Sequence, residues 1–212
     1  MFDFSTLKAL TVPEGSVKKI TVDGEVKWTK AEAEFSYTPI DYIQFTGSQR
    51  IDTGIICNRN TKIEVKFARE SASAKYLLGV RDSANAKSIT AYLTSSGAWR
   101  FGNTYASFSP QVNTIYEAVL SKSGLTVNSS KYSFGATVNS FETIATLTLG
   151  SARSTSGELT SPQFVGKMYY FRMYNGDNLV LDYAPVVRND GVYGFFDNVS
   201  GEFKGSETST PF

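Results

Sequence analysis

From Phe35 onward the chain repeats one pattern. Short β-branched and aromatic runs are broken by Gly, Asn, Ser, Asp and Pro roughly every ten residues. No stretch sustains a helical period for more than two turns. Strands are expected near Tyr42–Phe45, Arg50–Thr53, Lys62–Phe67, Tyr76–Val80, Ile89–Leu93, Trp99–Phe101, Ile115–Leu120, Leu125–Val127, Ala145–Gly150, Phe164–Tyr174, Leu179–Tyr183 and Tyr193–Phe196. Such spacing belongs to an all-β antiparallel sandwich or barrel. In Thr61–Phe67 the alternation puts Ile63, Val65 and Phe67 inward and the charges outward. Ile115, Glu117 and Val119 alternate with Tyr116, Ala118 and Leu120, so that strand is expected to be covered on both faces. Asn175-Gly176-Asp177-Asn178 reads as a hairpin turn.

Residues 1–30 read as a separate hairpin module, 31–37 as a polar linker and 38–212 as the main domain. Asp23-Gly24 is a two-residue turn signal between Lys18–Val22 and Glu25–Trp28. Ile20, Val22, Val26 and Trp28 are expected to share one face, with Leu7, Leu10 and Val12 to pack on it. A lone hairpin is marginal in water, so this face is expected to dock on a partner or on the following domain.

Composition then narrows the function. The chain has no His, which removes imidazole acids, bases and metal ligands. Its single cysteine, Cys57, allows no intrachain disulfide and no thiolate metal site, and it reads as a packed residue. Lys and Arg number 21 against 20 Asp and Glu, a balance that argues against a nucleic-acid partner. No run reaches the roughly 18 apolar residues of a membrane span. Met1–Lys8 lacks the basic and apolar regions of a signal peptide, yet the surface vocabulary of Ser, Thr, Asn, Gly and Tyr is that of an extracellular β-protein. Release on a particle by lysis reconciles the two.

Two segments carry a resemblance. Ile40-Asp41-Tyr42-Ile43-Gln44-Phe45-Thr46-Gly47-Ser48-Gln49-Arg50-Ile51-Asp52-Thr53-Gly54 resembles the opening of laminin-G-like, concanavalin A-like modules of phage tail and other virion proteins. Phe164–Phe171 and the run Ala184-Pro185-Val186-Val187-Arg188-Asn189-Asp190-Gly191, continuing through Gly194, Asp197, Ser200 and Gly201 to Phe203, resemble the close of the same family. The match spans residues 38–212, and the N-terminal hairpin is similar to short leader modules on phage structural proteins. The resemblance implies a two-sheet jelly-roll sandwich on a virion, with glycan or host-surface binding as the usual role. The closing segment also reads as scaffold: Gly191 and Gly194 for close backbone approach, Phe195, Phe196 and Phe203 for core, and Asp197–Gly201 as a capped turn.

Catalytic constellations are sparse. A retaining glycosidase needs carboxyls roughly 5–5.5 Å apart, but Glu64, Glu117 and Asp182 each stand alone on their strands, so hydrolysis requires convergence from different strands. Glu32 and Glu34 lie in the linker, and the Ser-x-x-Lys matches at Ser5 and Ser16 lack companion motifs. No cofactor is expected. Calcium has two loop candidates, Asp82 with Asn85 and Asp177 with Asn178, each of which also reads as a turn. For sugar binding, the stretch around Tyr92, Trp99, Arg100, Asn103 and Tyr105, with Arg81 before it, best combines aromatic planes with polar groups. Taken singly, Trp99 and Tyr92 read as inter-sheet core; taken together, the cluster is the candidate ligand site.

The sequence thus points to a non-enzymatic virion protein, head- or tail-associated and present in many copies. Ile20, Val22, Val26 and Trp28 would anchor it to other virion structural proteins, and the sandwich would engage a host-surface glycan. The alternatives are a decoration protein without sugar binding and a glycan depolymerase.

Overall fold

The structure is a computed structural model. It describes residues 35–154 and 163–212, together with the strand courses Lys19–Val22, Glu25–Thr29 and Leu159–Thr160. Two compact units divide the chain, Met1–Phe35 and Ser36–Phe212.

In the first unit, β1 (Lys19–Val22) pairs antiparallel with β2 (Glu25–Thr29). The register sets Ile20 opposite Trp28 and Val22 opposite Glu25, and a shift after Ile20 sets Val26 opposite Thr21. The turn residues Asp23 and Gly24, the upstream Leu7, Leu10 and Val12, and the side chains of Ile20, Val22, Val26 and Trp28 lie outside the described residues.

The second unit is an all-β, jelly-roll-like sandwich of two antiparallel sheets, without a helix among the described residues. The first sheet runs β10 (Thr104–Ser107), β9 (Ala98–Gly102), β8 (Ser88–Leu93), β7 (Lys75–Arg81), β14 (Glu142–Leu149) and β5 (Ile51–Asn58). Beside it, β15 (Ala152–Ser154) pairs parallel with β7 and antiparallel with β16 (Leu159–Thr160). The second sheet runs β13 (Ser130–Tyr132), β12 (Gly124–Val127), β11 (Ile115–Ser121), β6 (Thr61–Arg69), β17 (Val165–Asn175), β18 (Asn178–Arg188), β19 (Tyr193–Asp197) and β20 (Phe203–Lys204). Two further strands complete it, β4 (Ile43–Thr46) on β17 and β3 (Tyr37–Pro39) on β18. Tyr37 therefore belongs to the sandwich rather than to a linker. It pairs with Arg188, and its ring meets those of Phe196 and Phe203 at 5.0 and 5.6 Å.

The core lies between the sheets, where Phe67 of β6 meets Trp99 of β9 across the layers at 5.9 Å; within the first layer, Phe101 meets Phe141 edge-on at 5.4 Å. The end of the chain joins this core. The Phe212 ring packs edge-on against Phe45 and Phe195, and Gln49 donates to the Pro211 carbonyl.

Alternation on β6 follows the expected pattern, with Ile63, Val65 and Phe67 buried and Lys62, Glu64 and Lys66 half-exposed. On β11 the expectation of two covered faces fails. Ala118 and Leu120 are buried, but Ile115 is 46% exposed and Glu117 is exposed, because this face turns to solvent.

The closing segment is scaffold by its contacts. Asp197 is buried and accepts hydrogen bonds from the backbone N–H groups of Asp182, Val199 and Ser200 and from the Ser200 hydroxyl. At Gly194 an added Cβ would lie 2.5 Å from the Lys204 carbonyl oxygen, so β20 approaches closely where a side chain cannot fit. Arg188 forms a fork with Asp190 at 2.9 and 2.7 Å.

Candidate functional site

Of the six residues singled out from sequence, Arg81, Tyr92, Arg100 and Tyr105 share the outer face of the first sheet, whereas Trp99 and Asn103 do not. Trp99 is fully buried on Phe67, and its Nε1 donates to the Phe108 carbonyl at 3.2 Å. It offers a sugar no exposed plane. Its neighbour Arg100 points to the other face of the sheet, since successive strand residues alternate. There Arg100 lies over the ring of its cross-strand partner Tyr105, 5.4 Å from the centroid, and Tyr105 is 52% exposed. Arg81 and Tyr92 stand on this same outer face, with Tyr92 diagonal to Arg100 in the β8–β9 register. Arg81 donates to the hydroxyl of Tyr76, whose ring meets that of Tyr92 at 4.4 Å. Asn103 stands at a hairpin tip and clamps a loop, accepting from the Asn139 N–H and donating to the Thr137 carbonyl.

A larger array occupies the outer face of the second sheet. Along β17, Lys167, Tyr169, Tyr170, Arg172 and Tyr174 stand outward, while Met168, Phe171 and Met173 are buried. A bulge between Met168 and Tyr170 makes this arrangement. Tyr169 is the extra residue, so two consecutive tyrosines remain outside the core. β6 sets Lys62 opposite Tyr174, Glu64 opposite Arg172 and Lys66 opposite Tyr170. β11 adds Glu117 beside Lys66, and β18 adds Asp182 beside Arg172.

Each of four cations on this face pairs with a carboxylate: Lys62–Glu64 at 2.9 Å, Lys66–Glu117 at 3.0 Å, Lys167–Glu70 at 3.6 Å and Arg172–Asp182 at 2.7 Å. Each also lies over a tyrosine ring: Lys62 over Tyr174 at 3.7 Å, Lys167 over Tyr42 at 4.5 Å, Arg172 over Tyr170 at 5.1 Å and Lys66 over Tyr169 at 6.0 Å. The outcome is four carboxylate–cation–tyrosine triples whose charges cancel. Exposed ion pairs contribute about 0–1 kcal/mol and exposed cation–π contacts about 0.5–1 kcal/mol, so the triples orient the rings at small energetic cost to a ligand that rearranges them. Burial, with the nearby Glu117 and Glu64, pushes the Tyr170 phenol above its ordinary value, and burial with Glu64 does the same at Tyr174. Both phenols are therefore neutral at physiological pH.

At its Tyr174 end the face opens into a cleft of about 230 Å³ between the sheets, lined by Ile55, Ile56, Asn58, Thr61, Met173, Tyr174, Asn175 and Val180.

No known protein-family model matches the chain, and no curated protein matches it. The resemblance of its two ends therefore rests on those motifs.

The remaining sequence candidates resolve into local structure. Glu64, Glu117 and Asp182 converge on the tyrosine face, each held by a cation. Asp82 accepts from the Lys87 N–H and the Ser88 hydroxyl, and Asn85 takes a positive φ, as a turn requires. Asp177 sits in the β17–β18 turn next to Gly176, whose φ is +62°. Among the described residues no group of three or more Asp, Glu, His or Cys could hold a metal ion. Burial pushes the Cys57 thiol up to about 12, which keeps it protonated and inert.

Proposed function

We propose that the sandwich is a non-enzymatic glycan-binding module carried in many copies on a phage particle, with residues 1–30 attaching it to other virion proteins. Its contact surface is the tyrosine face of β6, β17 and β18. One observation carries this reading: the four carboxylate–cation–tyrosine triples, which present pre-oriented aromatic planes and polar groups with no net charge. Sugars stack C–H faces on such planes and exchange hydroxyl hydrogen bonds with the flanking groups. Hydrolysis has less support, since Glu64, Glu117 and Asp182 lie in ion pairs on an open face rather than across a cleft.

The reading predicts that the full chain binds a glycan array and intact host cells. Tyr170→Ala weakens that binding at least about tenfold without changing the melting temperature, as stacking on an aromatic plane requires. Retained affinity in this variant would move the site elsewhere. A decoration role keeps one observation of its own, the exposed Ile56 and Ile144 on the neighbouring strands β5 and β14, at 42% and 54%. It would gain if the chain bound virions and no sugar.

A further inference from the structure

The cleft at the end of the tyrosine face differs from the face itself. Its floor is apolar, formed by the half-buried Ile55 and Val180 with the fully buried Met173 beneath them, and Ile56 stands at the mouth. Around it stand two amides with spare capacity. Asn58 accepts the Asn60 N–H through Oδ1, and among the described residues its Nδ2 has no partner. The Asn175 side-chain amide likewise has no partner among the described residues, and Asn175 is exposed. No lining residue is charged. The neighbouring, wider hollow of about 490 Å³ shares Asn58 but carries Arg59, Lys87 and Glu142.

We propose that this cleft is a specificity pocket for the acetamido group of an N-acetylhexosamine, a reading that rests on the glycan-binding function above. Its volume is below the roughly 300–1,000 Å³ typical of drug-sized sites, which limits it to one sugar ring and its substituent. A plain hydroxyl set on the Ile/Val floor would lose its hydrogen bonds to water without compensation. An acetamido group meets both halves of the site. Its methyl covers the apolar floor, while its C=O and N–H satisfy the amides of Asn58 and Asn175. The sugar ring then rests against Tyr174, whose hydroxyl is held by Glu64 at 3.2 Å. The absence of charge in the lining, with Lys62 already bound to Glu64, turns away sialylated and other acidic sugars.

The test is a titration of the full chain, with isotope-labelled methyl and amide groups, by N-acetylglucosamine and N-acetylgalactosamine. Glucose and galactose, which differ from them by a hydroxyl in place of the acetamido group, serve as controls. At least one acetylated sugar is expected to shift Ile55, Ile56, Met173 and Val180 and to bind about tenfold or more tightly than its hydroxyl counterpart, the discrimination a small apolar pocket supplies. Ile56→Lys, a change at an exposed position, is expected to abolish those shifts while the melting temperature stays the same. Equal binding of acetylated and hydroxyl sugars would overturn the pocket and leave the glycan-binding reading in place. Failure of all four sugars and of longer glycans to perturb either the cleft or the tyrosine face would overturn both.

Discussion

Three residues test the energetics most simply. Tyr183 is 1% exposed, and its hydroxyl has no hydrogen-bond partner among the described residues; burial raises its phenol well above the ordinary value. An orphaned buried hydroxyl costs about 1–3 kcal/mol, so Tyr183→Phe should leave stability unchanged or raise it by about 1 kcal/mol in denaturant unfolding. A clear loss would mean that the hydroxyl is bonded in solution. Asp197 is the opposite case. Burial pushes its carboxyl up, but the Asp182 N–H, the Ser200 hydroxyl and the N–H groups of Val199 and Ser200 together hold it below the ordinary 3.8. A depressed carboxyl contributes stability above its unfolded pKa and loses it as pH falls through the lower folded value. Asp197→Asn should therefore cost about 2 kcal/mol at neutral pH, and the gap to the parent chain should narrow below about pH 4. Trp99→Ala, made to remove a sugar platform, should instead cost about 3–5 kcal/mol of stability, because it empties the inter-sheet core beside Phe67.

At the scale of elements, β17 organises the face. Its bulge at Tyr169 sets two tyrosines outward in succession and keeps Met168 and Phe171 in the core. Deleting Tyr169 would restore regular alternation on both sides. The variant should fold, with a stability change under about 2 kcal/mol, and bind sugar more weakly by loss of one plane. Much of this fold is legible in the sequence. The twelve expected strands all appear, because β-branched runs between turn residues leave few alternatives. β3, β10, β13, β15, β16 and β20 escape it, being short strands whose pairing is set by tertiary neighbours rather than by local pattern. The outward charges of β6 are also legible. The tyrosine face as a whole is not, since a bulge has no fixed sequence signal and the triples join residues on β6, β11, β17 and β18 with Tyr42 just before β4 and Glu70 just after β6. Alternation alone separates Trp99 from Arg100, since consecutive residues in a strand face opposite sides of the sheet.

At the scale of the molecule, the proposed glycan-binding role, on a sandwich with a charge-balanced tyrosine face, would work through weak contacts multiplied by copy number. Arraying copies on a bead or particle should raise apparent affinity by about 10²–10⁴ over the free chain, provided that the spacing permits simultaneous contact. Binding should also change little between low and high salt, because the four cations are already neutralised. The most direct test of the central claim is an amide chemical-shift map of the full chain titrated with a glycan that it binds. The account predicts perturbations concentrated on β6, β17 and β18 around Tyr170, Arg172 and Tyr174. Perturbations confined to the opposite sheet around Arg100 and Tyr105 would contradict it.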